Sequence, residues 1–312
     1  MAHRLACTPT AADEALREPG PEEQWSDSFY FGGGDAETTL YTRIGRRPNE
    51  DAVEGALGIW APDGRFVLGF GRTPDRAELA AGPVAYECAL PFELWRLEIT
   101  GRGRAYARAE NLALAPDRYE EVSLGGELRF AAWTGPVSFR SGLTGSVAAR
   151  HYEQPGSLFG TIEIGDARIP VAGRGMRDHS WGVRDWQAVP YWRWFGIVVD
   201  PQNFLMLNNV GTPDGGETCG GLAIRDGVAG EIRECETTSE LDPELGCQRH
   251  FVARAPDELG REHVLEGEAF SVAPLRQRRG DRLTTVNEGR TRLRWGTREG
   301  IGISEYLVQT SG

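Results

Sequence analysis

One segment of the chain, residues 173–194, concentrates the side chains that could do chemistry. It holds two aspartates, one of the five histidines, four arginines and four of the nine tryptophans of the 312-residue sequence. Its three glycines and one proline oppose a helix, so we expect an extended, bent chain. In a strand, Arg177, His179 and Trp181 would share one face, while Asp178 and Ser180 would share the other.

This mixture of residues favours acid–base chemistry. Beside aromatic surfaces a low dielectric raises the pKa of a carboxyl group and lowers that of an imidazole, which brings both toward neutrality. Proton transfer is efficient there, and tryptophan faces stabilise carbocations. The predicted catalytic residues are Asp178, His179, Arg177 and Asp185. The predicted substrate-binding residues are Trp181, Arg184, Trp186, Tyr191, Trp192, Trp194, Glu153 and Glu305.

A structural interpretation of the same segment stays open. The neighbouring pairs Arg177–Asp178 and Arg184–Asp185 would then be ion pairs that pin a crossing between domains, with the tryptophans as plain core. Likewise, Glu153 points either into a pocket or to solvent, and Glu305 lies either on a wet face or in a cavity.

Other site chemistries find less support in the spacing. A catalytic metal needs three or four converging ligands, usually rich in histidine, and only His179 has a suitable context, so we expect no metal. A Ser-His-Asp triad on Ser180 fails because adjacent strand residues face opposite sides and no GxSxG elbow occurs. The run Gly32-Gly33-Gly34-Asp35 lacks the helix that follows a phosphate loop and is interpreted as a flexible turn.

Composition excludes some classes of protein. A net charge of −12 and a pI near 5.0 argue against a nucleic-acid partner. No apolar run approaches the roughly 18–20 residues that a membrane span needs, and the N-terminus lacks a signal-peptide pattern. We therefore expect a soluble, cytoplasmic protein whose oligomeric state is open. Five cysteines without a CxxC pair are expected to be reduced thiols.

Paired apolar runs around turn residues predict hairpins throughout the chain. Residues 56–60 and 65–70 flank Pro62-Asp63-Gly64, and residues 158–164 and 168–171 flank Gly165-Asp166. Many short strands and no long amphipathic helix indicate an all-β protein of sandwiches or barrels. A short capped helix is expected within residues 8–18. We divide the chain into an N-terminal extension, 1–24, and two β domains, 25–172 and 173–312.

The run Arg177-Asp178-His179-Ser180-Trp181-Gly182, preceded by Gly173-Arg174-Gly175, resembles the central Asp-His-x-Trp-Gly signature of the carotenoid 1,2-hydratase/AttH-like superfamily. Upstream, His151-Tyr152-Glu153-Gln154 with Gly160, and downstream, Arg184-Asp185-Trp186, are similar to a bacterial branch of that group. The specific part of the resemblance is central and short. The rest of the chain from Trp25 on shares only the strand pattern.

The resemblance implies two lipocalin-like β-barrel domains with a ligand cavity near their junction. Members include hydratases of isolated isoprenoid double bonds and fungal relatives that cyclise polyenes, all without an organic cofactor. By this resemblance Asp178 matches the acidic residue that protonates an alkene or polarises the group that does. Ser180 stands where the hydratases commonly have an acidic residue.

The expected function is a cofactor-free lyase, hydratase or cyclase acting on a hydrophobic small molecule, either terpenoid or aromatic. In it, Asp178 and His179 would transfer protons, and Arg177 and Arg184 would set their charge. The alternative is a non-catalytic lipocalin-like carrier of the same kind of ligand, which needs no titratable pair.

Overall fold

The computed structural model describes residues 9–138, 150–185, 188–279 and 281–311. The chain divides into two compact units, each built on one antiparallel sheet. Among the described residues, unit 1 comprises 9–107, 119–138 and 150–184, and unit 2 comprises 108–118, 185, 188–279 and 281–311. No helix in these ranges is long and apolar enough to cross a membrane.

Unit 1 is a closed barrel. Its strands are β1 (Trp25–Gly34), β2 (Thr39–Arg47), β3 (Ala52–Trp60), β4 (Phe66–Thr73), β5 (Ala80–Ala81), β6 (Val84–Leu90), β7 (Leu94–Tyr106), β8 (Glu120–Ala132), β9 (Arg150–Ile164) and β10 (Ala167–Val183). The sheet order is β4-β3-β2-β1-β10-β9-β8-β7-β6-β5. Strand β4 also pairs with β7, through Phe66–Leu68 and Arg104–Tyr106, and this pairing closes the ring.

The core of unit 1 follows from strand alternation. In β7, Trp95, Leu97 and Ile99 point inward and are buried, while the charged residues between them are exposed. The barrel interior holds aromatic and aliphatic side chains from every strand of the ring. Before β1, the expected helix within 8–18 is only a 3-10 turn, Ala11–Glu14, capped by Thr10. A second 3-10 turn, Pro48–Glu50, precedes β3.

Unit 2 is built on the second sheet. Its strands are β11 (Tyr191–Asp200), β12 (Asn203–Gly211), β13 (Glu217–Arg225), β14 (Val228–Ile232), β15 (Glu236–Leu241), β16 (Gln248–Pro256), β17 (Glu262–Arg279), β18 (Arg282–Trp295) and β19 (Arg298–Ser311). The order is β14-β13-β12-β11-β19-β18-β17-β16-β15, and an isolated bridge joins Ile232 to Asp257. The helix α1 (Asn111–Leu114) also belongs to this unit.

The all-β prediction is confirmed, as is the hairpin of β3 and β4 around Pro62-Asp63-Gly64. The division into units differs from the predicted boundary at 172/173. Residues 174–183 pair with β1, and residues 167–181 pair with β9, so β10 is a central strand of the first barrel.

Two smaller expectations are wrong. The run Gly32-Gly33-Gly34 is not a flexible turn but the end of β1, where it runs close beside β10. A Cβ on Gly33, at φ 149°, would lie 2.2 Å from the Arg174 carbonyl oxygen, so only glycine fits there. In unit 2, Cys219 and Cys235 form a disulfide with a Cα–Cα distance of 5.9 Å, which overturns the expectation of reduced thiols for this pair.

Candidate functional site

Strand β10 carries the predicted signature through the middle of the first barrel wall. Because side chains alternate along a strand, Arg177, His179 and Trp181 point into the barrel, and Asp178 and Ser180 point away from it. The face-sharing predicted from the sequence is therefore correct. The expected acid–base pair of Asp178 and His179 is not assembled, since the sheet itself lies between the two side chains.

On the outer face, four polar residues stand directly opposite one another on adjacent strands. They are Arg43 on β2, Tyr30 on β1, Asp178 on β10 and Glu153 on β9, and we call them the outer row. Side chains opposite each other in a sheet lie within contact range. Glu153 is 1% exposed and Tyr30 7%, although both lie on the outside of the barrel.

Glycines beside the outer row leave space for its larger side chains. A Cβ on Gly45 would lie 2.5 Å from Arg43 Nη2, and a Cβ on Gly32 would lie 2.7 Å from the Tyr30 hydroxyl. The Arg43 and Tyr30 side chains therefore lie across their neighbouring glycines rather than standing away from the sheet. A glycine at each of these two positions is what allows the neighbouring side chain of the outer row to lie along the sheet.

A second line of residues adds an imidazole. His151 on β9 stands opposite Ser180 on β10. The His151 Nε2 atom lies 3.2 Å from Glu153 Oε1, and Arg184 Nη2 donates a hydrogen bond of 2.6 Å to Ser180 Oγ. Asp178, His151 and Glu153 together form a carboxylate–imidazole cluster.

The electrostatics of this cluster bring the pKa of Asp178 close to neutral pH. Burial raises the pKa of Asp178 and is the largest effect; the His151 charge lowers it, Glu153 raises it, and Arg184 and Arg43 lower it. The resulting pKa is about 7. For His151, burial by itself would lower the pKa, but the hydrogen bond and charge of Glu153 and the charge of Asp178 outweigh it, so the pKa is raised. The cluster therefore favours the protonated form of His151 and holds a carboxyl group that readily exchanges its proton near neutral pH.

The inner face of β10 has a different character. Arg177 is 1% exposed; its Nη2 donates to both carboxylate oxygens of Glu14, at 2.7 and 2.8 Å, and its Nε donates to Gln154 Oε1 at 2.8 Å. Glu14 also accepts hydrogen bonds from Trp95 Nε1 at 3.0 Å and from the Tyr152 hydroxyl. Burial would raise the pKa of Glu14, but the Arg177 charge and the hydrogen bonds from Tyr152, Arg177 and the Phe92 backbone N–H outweigh it and hold the pKa below its usual value.

His179 belongs to this inner network. It is fully buried, stacks on Phe29 with ring centroids 3.8 Å apart, and has both ring nitrogens near oxygen atoms. Its Nε2 lies 2.6 Å from Asp27 Oδ1, and its Nδ1 lies 2.8 Å from the Asp13 carbonyl oxygen. Trp181 packs beside it, with 4.7 Å between ring centroids. These contacts fasten the N-terminal segment into the barrel and leave His179 no access to a substrate.

The remaining predicted site residues lie in unit 2, except Trp186, which falls outside the described residues. Trp192 and Trp194 share a face of β11, and the Trp192 Nε1–H donates to Glu305 Oε1 on β19. The Tyr191 hydroxyl donates to Glu217 at 2.8 Å. Asp185 lies two residues after the end of β10 and belongs to unit 2. Within unit 1, the structure brings Asp178 together with Glu153 and Arg184.

Three residues of the outer face were not predicted as site residues from the sequence: His151, Tyr30 and Arg43. For His151 a signal was present. The predicted hairpin around Gly165-Asp166, continued in register along both strands, pairs residue 178 with residue 153 and residue 180 with residue 151. Tyr30 and Arg43 had no such signal, because the pairing of β1 with β10 joins distant parts of the chain.

The outer face thus offers proton transfer by Asp178, with an ion pair of His151 and Glu153 beside it and arginine charges nearby. No group of three or more histidine, cysteine, aspartate or glutamate side chains within the described ranges has the arrangement of a metal site. The fold and this cluster define a class: an all-β protein of two antiparallel units with titratable groups on the wall of the first barrel.

Solved structures with the same architecture cover nearly the whole chain. A protein of Nitrosomonas europaea assigned as AttH matches with a TM-score of 0.61 and 13% identity over 98% of both chains. Kievitone hydratase of Nectria haematococca matches with a TM-score of 0.60 and 11% identity, over 98% of this chain and 97% of that one. CghA matches with a TM-score of 0.60 and 10% identity, over 98% and 96%. At these identities the likeness shows a shared fold, and it confirms the predicted two-domain lipocalin-like β fold.

The chain belongs to the family defined by the domain of unknown function DUF7064, whose model matches residues 10–310. No curated protein matches it by sequence.

Proposed function

We propose that the protein is an acid–base enzyme of the hydratase, lyase or cyclase type that acts on a hydrophobic small molecule, terpenoid or aromatic, with Asp178 as the proton donor and acceptor. The observation that carries the proposal is the placing of Asp178 on the outer face of the barrel, directly opposite the buried side chains of Glu153 and Tyr30. Burial there raises the pKa of Asp178 to about 7. A general acid is most effective when its pKa lies near the working pH.

The outer row supplies the other parts of such a reaction. Protonated Asp178 gives its proton to one carbon of an alkene or to a departing hydroxyl group. The carboxylate that remains lies beside the His151 imidazolium and the guanidinium groups of Arg43 and Arg184, which stabilise the new negative charge. In a hydration, water adds to the other carbon and its proton returns to Asp178. In a dehydration, the hydroxyl group leaves as water and a C–H proton beside the resulting cation passes to the Asp178 carboxylate. In a cyclisation, a ring bond forms between the cation and a second double bond, a proton returns to Asp178, and the mass is unchanged. No step requires a cofactor.

The comparisons support this proposal through fold only. Kievitone hydratase is a hydratase by name and shares the architecture at 11% identity. A shared fold hosts many reactions, so the site has to carry the argument. Lipocalins hold a ligand inside the barrel. In the first barrel, Glu14, Arg177 and Trp95 fill this part of the interior, so it does not favour the carrier alternative.

Turnover tests the proposal directly. Purified protein is incubated with pooled terpenoid and phenylpropanoid compounds, and products are analysed by mass spectrometry and chromatography. A gain or loss of one water indicates hydration or dehydration, and an isomer of unchanged mass indicates cyclisation. Tight binding of a compound that is recovered unchanged would favour the carrier.

The decisive variant is Asp178→Asn, which keeps the shape and removes the proton. We expect turnover to fall by roughly 10²- to 10⁴-fold. Asp166→Asn, at an exposed turn residue of the same type, is the matched control and should leave turnover unchanged. Wild-type rates in a folded Asp178→Asn protein would remove Asp178 from the mechanism.

A further inference from the structure

Two adjacent asparagines on β12 of unit 2 are both buried but differ in their bonding. Asn209 is 0% exposed; its Nδ2 donates to Glu217 Oε1 at 2.8 Å, and its Oδ1 accepts from Thr237 Oγ1 at 2.8 Å. Asn208 is 2% exposed, and neither its Oδ1 nor its Nδ2 has a hydrogen-bond partner among the residues that the structure describes. Neighbours in a strand face opposite sides, so the two amides lie on different faces of the sheet.

An unpartnered buried amide is unfavourable. A polar group that loses water without gaining a partner costs about 1–3 kcal/mol, and native proteins contain few such groups. The neighbours of Asn208 on the same face of β12, Met206 and Val210, are apolar and buried. A leucine at 208 would suit this surface better than an asparagine does, so folding alone gives no reason for the amide.

The residues in line with Asn208 have the character of a binding surface. Directly opposite it on β11 is Trp194, followed by Glu305 on β19 and Glu288 on β18. On the other side it faces Gly220 on β13, which has no side chain. We call this line the amide row. It lies on the face opposite to the core of unit 2, which Phe195 and Leu207 help to form.

We propose that Asn208 is the polar anchor of a ligand site on the amide row, and that the ligand is a neutral, hydroxylated hydrophobic compound such as a phenol or an alcohol. The amide offers one acceptor and two donor hydrogens, which match a hydroxyl group. Trp194 beside it offers a flat apolar surface for an aromatic or polyene body. The two glutamates of the row disfavour a ligand anion.

This inference is independent of the proposed function, because it concerns a site in unit 2 and predicts binding rather than turnover. Its test compares two probes of the same body, 2-naphthol and naphthalene, by isothermal titration calorimetry on the full chain. We expect wild-type protein to bind 2-naphthol about tenfold more tightly than naphthalene, the value of one hydrogen-bonded group.

The matched variants are Asn208→Leu and Asn209→Leu. Asn208→Leu should abolish the preference for 2-naphthol and raise the melting temperature, because an unpartnered amide is removed. Asn209→Leu should lower the melting temperature, because Glu217 and Thr237 lose a partner. Asn208→Ala is a second variant that should also lose the preference, whether or not the leucine fits.

Two results would overturn the proposal. One is a wild-type protein that binds the two probes equally or binds neither. The other is an Asn208→Leu or Asn208→Ala protein that keeps the preference for 2-naphthol, which would place the hydroxyl contact elsewhere.

Discussion

The two faces of β10 divide one short sequence motif between two tasks. On the inner face, Arg177 and His179 are buried and are bonded to groups of the chain itself, above all Glu14 and Asp27. On the outer face, Asp178 has a pKa near 7 among charges that act on it in both directions. The inner face holds the N-terminal segment in the barrel, and the outer face has the properties of a proton-transfer site.

The difference shows how buried charge can be interpreted. A buried ion pair with several hydrogen bonds on each member holds a structure together, and removing one member is strongly unfavourable. A carboxyl group whose ionised form is disfavoured by burial weakens the fold at neutral pH, so it is retained for another reason. The two faces should therefore respond to substitution with opposite signs.

The largest effect is expected on the inner face. Glu14→Ala leaves Arg177 buried without its carboxylate, and we predict a loss of about 3–5 kcal/mol in the free energy of unfolding. Urea denaturation followed by circular dichroism measures it. Glu18→Ala, an exposed glutamate of the same segment, is the matched control and should change stability by less than about 0.5 kcal/mol.

A double replacement sharpens this prediction. Glu14→Leu combined with Arg177→Met removes both charges and keeps apolar volume, so much of the stability should return. If Glu14→Ala were as stable as Glu18→Ala, the inner network would not stabilise the fold, and the two faces would no longer differ in this respect.

The outer face should show a smaller change of opposite sign. Asp178 has a folded-state pKa of about 7, above its ordinary value of 3.8, so the folded protein binds more protons than the unfolded chain between these two values. Stability contributed by this group is therefore present at low pH and is lost as the pH rises through that window. Asparagine cannot ionise and escapes the loss.

We accordingly predict that Asp178→Asn is more stable than the wild type at pH 8 by on the order of 1–3 kcal/mol. This is less than the full pKa shift would give, because the Asp178 side chain is only partly shielded from solvent. The gap should close toward pH 4. Melting temperatures of both proteins across this range measure it. A variant that is less stable than the wild type at pH 8 would mean that the carboxylate is structural.

Strand alternation made the division of the motif predictable, while long-range pairing did not. Residues 177–181 were correctly assigned to two faces, because the period of a strand is local. The His151–Glu153 pair was within reach, since the hairpin around Gly165-Asp166 fixes its register with β10. The residue types and their tryptophan neighbours nevertheless suggested Asp178 and His179 as the two proton-transfer groups, although adjacent side chains in a strand point to opposite faces.

The contacts of Glu14 and Tyr30 could not be predicted from a single sequence. Glu14 reaches Arg177 only because the N-terminal segment enters the barrel, and no local pattern encodes that insertion. Tyr30 stands opposite Asp178 because β1 pairs with β10, a strand far away in the sequence. Both contacts join distant parts of the chain, so strand patterns predicted the kind of fold and most of one wall, but not the residues brought in from elsewhere.

The smallest predicted effect tests the charges around Asp178. The His151 imidazolium is the strongest of the neighbours that lower the pKa of Asp178. His151→Gln removes this charge, so the pKa of Asp178 should rise from about 7 by on the order of one unit. Carboxyl ¹³C resonances followed through a pH titration measure it without a substrate, and any limb of the kcat/KM profile due to Asp178 should move with it.

His250→Gln is the matched control, because His250 also contacts a glutamate, Glu266 at 3.3 Å, but lies in unit 2 and is partly exposed. It should leave the titration of Asp178 unchanged. If His151→Gln also left it unchanged, the His151 charge would have no part in setting the pKa of Asp178. Burial, Glu153 and the two arginines would then set it, and the proton donor would act without an imidazolium to stabilise its conjugate base.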